Sequence, residues 1–131
     1  MLEFESDNGD AFPHKEITQA IIGAAFEVHN HLGYGFLHRV YQCSLQVELT
    51  RRNLRAELEK RANVYYKGVV VGYYDADVIV DDSVLVEIKI APQYDKRDEA
   101  QLLNVLKATG LKLGMLINFG RDKVQYHRFI F

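Results

Sequence analysis

Three side chains near the middle of the chain have the types and the spacing for metal-assisted chemistry on a phosphate. Asp77, Glu87 and Lys89 lie in Asp-Val-Ile-Val-Asp-Asp-Ser-Val-Leu-Val-Glu-Ile-Lys, two apolar segments joined by a polar turn. Side chains alternate along a strand, so Glu87 and Lys89 share a face. A three-residue loop at Asp81-Asp82-Ser83 pairs Val80 with Val84 in an antiparallel hairpin. Asp77 and Glu87, each three residues further out, then face each other, with Cβ atoms about 4.5–5.5 Å apart. A slip of one residue would send them to opposite faces. The other face fits the same register: Ala76, Val78 and Val80 lie beside Val84, Val86 and Ile88.

Like charges directly opposite one another destabilise a sheet, so the pair calls for compensation. A divalent cation supplies it. Mg²⁺ takes hard oxygen ligands, commonly one or two carboxylates with water and phosphate oxygens. Such an ion acidifies a bound water and stabilises charge in an in-line displacement at phosphorus. Lys89, two residues beyond Glu87, can hold a phosphate oxygen or position the water. The same Glu-x-Lys pattern also occurs on solvated strands with no chemistry. Its weight here comes from the turn and from the apolar residues on both sides.

The elements that must position these residues follow from periodicity. Ile17, Ala20, Ile21, Ala24, Val28 and Leu32 recur at helical spacing, and Gly33-Tyr34-Gly35 ends that helix. A second helix is expected from Phe36 to Arg52, with Leu37, Val40, Tyr41, Ser44, Val47 and Leu49 turned inward. The pattern then alternates. Strands are expected over Leu54–Tyr66, Val69–Val80 and Val84–Ile90, with Lys67-Gly68 as a hairpin turn and Gly72 as a bend or bulge. A third helix spans Lys96–Thr109, with Ala100, Leu102, Leu103 and Leu106 as its inner face. The apolar strand Leu113–Phe119, buried on both sides, and a last strand Lys123–Phe131 complete the order α-α-β-β-β-α-β-β. This describes an α/β fold: a mixed sheet flanked by helices, with a parallel strand-helix-strand crossover from Val84 to Phe119. Residues 1–12 are expected to be a loose arm, and 13–131 one domain.

Bulk composition is that of an ordinary globular chain. It has 131 residues, 48% hydrophobic and 26% charged, with formal net charge -2. That charge does not mark a strongly basic nucleic-acid binder. One cysteine, Cys43, excludes an intrachain disulfide and a Cys-based zinc site, and fits a cytoplasmic setting. No apolar run reaches the roughly 20 residues needed to span a bilayer, so no membrane role is expected. The first residues lack the layout of a signal peptide.

Several stretches together resemble one family. The Asp-x₉-Glu-x-Lys hairpin after helices, followed by a helix and a strand, is similar to the PD-(D/E)XK nuclease superfamily. More narrowly, Leu32-Gly33-Tyr34-Gly35-Phe36-Leu37-His38-Arg39-Val40-Tyr41 resembles the signature of the small GxxExxY proteins. So do Tyr66-Lys67-Gly68, the run from Val71 to Asp77, Val86-Glu87-Ile88-Lys89, Gln101-Leu102-Leu103-Asn104 and Leu116-Ile117-Asn118-Phe119-Gly120. The resemblance implies a restriction-endonuclease-like core and metal-dependent hydrolysis of nucleic-acid phosphodiesters, with DNA the first candidate substrate. It implies Asp77, Glu87 and the carbonyl of Ile88 as ligands of Mg²⁺ or Mn²⁺, and Lys89 as the catalytic lysine. Gln101 falls where RecB-like nucleases carry Gln-x₃-Tyr, although the tyrosine position is Val105 here. The family's helix glutamate is His38 in this chain. His38 then either replaces it as a ligand, which would favour Mn²⁺, or marks a weakened site. Glu27 is a third, weaker candidate for the missing acid.

Other residues have plainer explanations beside them. Tyr41 is one turn from His38 and serves equally well as a core tyrosine or as a site residue. His29 and His31 are two apart and do not share a helix face. Arg51, Arg52, Arg55, Lys60 and Arg61 are interleaved with Glu48, Glu57 and Glu59, the pattern of a mixed solvated surface. Lys96 and Arg97 are nearer the hairpin and are better phosphate candidates. Tyr65, Tyr66, Tyr73 and Tyr74 point to packing or to a homodimer surface more than to base stacking. Two functions therefore stand: an endo- or exonuclease, or the same fold kept as a binding or interaction module with its chemistry weakened or lost.

Overall fold

A computed structural model describes residues 3–4 and 14–131. Most of the expected arm, and Pro13 at the start of the expected domain, lie outside the described residues. Glu3–Phe4 form a two-residue strand, β1. Then come α1 (Lys15–Leu32), α2 (His38–Arg51), β2 (Ala56–Tyr66), β3 (Val69–Val80), β4 (Val84–Lys89), a 3₁₀ turn (Lys96–Asp98), α3 (Glu99–Thr109), β5 (Leu113–Phe119) and β6 (Val124–Ile130). The strands form one mixed sheet in the order β1-β6-β5-β4-β3-β2. β4 and β5 run parallel, as a strand-helix-strand crossover requires, and the other neighbours are antiparallel.

Two apolar layers flank the sheet. On one face Ile21, Ala24 and Val28 of α1 and Tyr41, Leu45 and Leu49 of α2 pack on Val78, Val80, Val84, Val86 and Ile88. On the other, Leu102, Val105 and Leu106 of α3 pack on Ile79, Leu85, Leu116 and Phe129. Ala76 belongs to this second layer, so the expected single face of Ala76, Val78 and Val80 splits at Asp77. Every residue of β5 is buried, which explains its unbroken apolar sequence. The α3 layer also accounts for Gly114: a Cβ there would sit 2.9 Å from Leu106 Cδ1 and 3.2 Å from Leu102 Cδ1.

Two helix faces differ from expectation. In α2 the buried residues are Tyr41, Gln42, Leu45 and Leu49, while Leu37 precedes the helix and is 78% exposed, and Val47 is 56% exposed. Tyr41 and Leu49 face inward as expected, but the true face includes a glutamine, which a search for an apolar stripe passes over. In α3 the inward residues are Leu102, Val105 and Leu106, with Ala100 exposed. Both expected turns are present. Lys67 and Gly68 carry φ of 49° and 80°, and Tyr66 pairs with Val69. The expected irregularity at Gly72 is a bulge: Val64 pairs with Gly72 but Tyr65 with Val70, leaving Val71 over.

Replacing Gly114 by valine crowds the side-chain ends of Leu102 and Leu106 and forces them to repack. Denaturant unfolding should show a loss of about 1–3 kcal/mol, and an unchanged midpoint would contradict the close approach.

Candidate active site

The site begins where the β3–β4 ladder ends. Pairing runs from Val80↔Val84 through Ile79↔Leu85 to Val78↔Val86 and stops there. The loop length and register are those the sequence predicts. β2 also passes Asp77 without a pair, going from Leu58↔Val78 to Lys60↔Ala76, with Glu59 between them at φ 56°. Asp77 therefore sits in a gap in the sheet, and side chains take over its main-chain bonds. Gln42 Nε2 donates to the Asp77 carbonyl at 2.8 Å. The Asp77 amide faces Glu87 Oε1 at 3.5 Å. Asp77 Oδ2 in turn accepts from the Ile88 amide at 2.7 Å. Groups that would otherwise be orphaned in a partly buried place are satisfied, and the two carboxylates are fixed beside each other.

α2 delivers the third side. His38, its first residue, places Nε2 3.1 Å from Asp77 Oδ2. The loop before it is anchored by Tyr41, whose hydroxyl donates to the Gly33 carbonyl at 2.6 Å and whose ring stacks on Phe119 at 4.6 Å. Tyr41 is fully buried, so it serves as a core anchor for the loop. Gly35, at φ 108°, takes a conformation that side-chain-bearing residues rarely adopt.

The resulting cleft is about 420 Å³ and is lined by Phe36, Leu37, His38, Asp75, Asp77, the run Glu87–Ile90 and Gln101. All the residues expected at the site, His38, Asp77, Glu87, Ile88, Lys89 and Gln101, thus come together. Glu27 does not: it lines a separate surface hollow with His31. His29 bonds the Gly120 carbonyl at 2.7 Å, away from the cleft. Arg97 is held by Asp95, and neither it nor Lys96 lines the cleft. Arg55, Lys60 and Arg61 pair with Asp82, Glu57 and Asp75, as a mixed solvated surface would.

Electrostatics reflect the crowding. Glu87 is 6% exposed, and burial followed by the charge of Asp77 pushes its pKa up to about 8; Lys89 acts in the opposite direction. The hydrogen bond to Asp77 holds His38 above its ordinary value, against its partial burial. Among the described residues no three His, Cys, Asp or Glu side chains already converge as a cage. Two carboxylates, a carbonyl and an open cleft fit a hard cation that keeps water or phosphate oxygens as its other ligands.

Two residues at the site escaped the sequence. Gln42 lies one helical turn after His38, and that spacing was the available signal. Asn118 is 1% exposed and pairs in register with Lys89. Its amide accepts from the Ala91 amide and donates to the Ala91 carbonyl, both at 3.0 Å. The chain beyond Lys89 is thereby held to β5. The signal was a lone amide in an otherwise apolar strand.

The model of the PD-(D/E)XK nuclease superfamily matches residues 15–129. None of the curated proteins matches. Among solved structures, one described as the crystal structure of SSO0001 has a TM-score of 0.49 at 18% identity, covering 86% of this chain and 76% of that one. At that level it bears on neither mechanism nor substrate. Among the described residues no helix is long and apolar enough to cross a membrane.

Glu87 in the folded protein keeps a proton that the unfolded chain releases near 4.5. Its contribution to stability is complete below that pH and is lost as pH rises through about 8. His38, also raised, contributes with the same sign. In chelator, Glu87→Gln should be more stable than wild type by about 2 kcal/mol at pH 8.5, with the gap closing towards pH 5. Denaturant midpoints across that range measure it, and parallel profiles would contradict it.

Proposed function

This chain belongs to the PD-(D/E)XK nuclease superfamily, and from that premise we propose that it hydrolyses nucleic-acid phosphodiester bonds with Mg²⁺ or Mn²⁺. Within the superfamily we place it with the GxxExxY proteins, with His38 at the helix acid. The positive φ of Gly35 and the Tyr41 anchor support that placement, since both belong to the same short motif. The observation that carries the proposal is the single cleft holding Asp77, Glu87, Ile88, Lys89 and Gln101 with His38. DNA in a cytoplasmic setting is the first substrate to test, and a homodimer the first assembly.

Asp77, Glu87 and the Ile88 carbonyl would hold the cation. When bound, it supplies Lewis-acid stabilisation of the phosphate and acidifies a water. The protein's own groups do the rest. Gln42 and the Ile88 amide fix Asp77. Lys89 donates to a non-bridging phosphate oxygen or to the attacking water. Gln101, on the first turn of α3, orients Lys89 or the phosphate with its amide. His38 either joins the ligands through Nε2 or holds Asp77 in place through the same atom.

Calorimetry should show Mn²⁺ binding to wild type and its loss in Asp77→Ala. Lys89→Ala should keep the metal and lose about 10²–10⁴-fold in cleavage of DNA or RNA substrates. Wild type that binds no Mn²⁺, or activity that survives Lys89→Ala, would contradict the proposal. A gain of activity in His38→Glu would show that the histidine weakens the site.

A further inference from the structure

The distal half of the β2–β3 hairpin reaches past its neighbour. β4 pairs with β3 only from Val78 to Val80, so the hairpin from Val69 to Ala76 has no β4 partner. Its tip exposes Tyr65 at 64% and Tyr73 at 54%. Residues paired across an antiparallel ladder lie on the same face. The pairs Tyr65↔Val70, Asn63↔Tyr73 and Arg61↔Asp75 therefore share one face, once the bulge at Val71 is counted. The alternation of β3 breaks at Asp77, but Asp75, the last residue of that face, lines the cleft. Arg61 lies 3.6 Å from the centroid of the Tyr73 ring and is tied to Asp75 at 3.0 Å, which sets the ring in place. Phe36 lines the same cleft. It is 49% exposed and sits edge-on to Tyr41 at 6.4 Å.

We propose that this face and Phe36 form a track for single-stranded nucleic acid, with unpaired bases stacking on Phe36, Tyr73 and Tyr65. The proposal rests on the nuclease reading of the cleft and names the form of its substrate. Two physical arguments favour a single strand. The bases of a duplex are stacked on each other and present only their edges, so exposed rings gain little from one, whereas an unpaired base offers its face to any aromatic ring. A duplex would depend on its phosphate contacts alone, whereas a single strand adds stacking to them. Here Arg61, Arg39, Arg55 and Lys60 each face a carboxylate. A second copy of the chain is the rival occupant. It would account for the exposed tip of the hairpin but not for the continuity of the face with the cleft.

Fluorescence anisotropy in chelator, where cleavage is silent, tests the track with labelled 12-nucleotide oligo-dT, oligo-rU and a duplex of equal length. At least one single strand should bind tenfold or more tighter than the duplex, and the tighter of the two identifies DNA or RNA. Tyr73→Ala and Phe36→Ala should each weaken binding about tenfold, while Tyr73→Phe should bind as wild type. Equal or tighter duplex binding, or wild-type affinity in Tyr73→Ala, would overturn the proposal. So would a dimer in sedimentation that Tyr73→Asp dissociates, in a protein that binds neither single strand. Lys89-dependent cleavage without single-strand preference removes the track and leaves the nuclease. Single-strand preference without any metal-dependent cleavage removes the nuclease and leaves the track.

Discussion

The gap in the sheet at Asp77 is the constraint on which the rest of the site depends. A regular ladder would carry the main-chain bonds of this residue to both neighbours and leave its carboxylate like any other on a strand. Instead the β3–β4 ladder stops one pair short, β2 skips the position at Glu59, and Gln42, Glu87 and the Asp77 carboxylate itself take over the bonding. Two acidic side chains are thereby held together in a partly buried place. Pairing of buried charges is costly unless hydrogen bonds and an opposite charge accompany it. The structure supplies the hydrogen bonds and part of the charge, through His38 and Lys89.

The two helical layers can be understood from that position outward. α2 must arrive with His38 at Asp77 and Gln42 one turn later at its carbonyl, which fixes both the depth and the rotation of the helix. The Tyr41 hydroxyl fixes the loop leading into it. On the other face, α3 packs Leu102 and Leu106 against Gly114 of β5, and Gln101 of the same helix lines the cleft. Asn118 does for the segment after Lys89 what Gln42 does for Asp77: an amide replaces a main-chain partner where regular pairing ends.

Much of this was legible in the residues. The turn at Asp81-Asp82-Ser83 fixed the register of the hairpin, because a three-residue loop there sets Asp77 opposite Glu87, and the observed pairs follow it. β3 and β5 have the boundaries that alternation and apolar content indicate. Periodicity gave Tyr41 and Leu49 but not the rest of the buried face of α2. There a glutamine is buried for its hydrogen bond, while Leu37 and Val47 are exposed. Nor could it show that the strands part at Asp77, since strand separation depends on which side chain satisfies which amide. Tyr65, Tyr66, Tyr73 and Tyr74 read as packing or dimer-surface residues; Tyr74 does pack on the α3 layer, while Tyr65, Tyr66 and Tyr73 are exposed on the part of the hairpin that β4, half the length of β3, does not reach.

The central claim is that the Asp77–Glu87 gap is a cation site. The Ile88 amide, bonded to Asp77 Oδ2 at 2.7 Å, is its natural reporter. A two-dimensional ¹H–¹⁵N titration with Mg²⁺ should move the amides of Ile88 and Asp77 along one saturable curve, and Asp77→Asn should abolish the shift without disturbing distant residues. Shifts that stay linear in Mg²⁺, that scatter over surface carboxylates, or that persist in Asp77→Asn would contradict the claim.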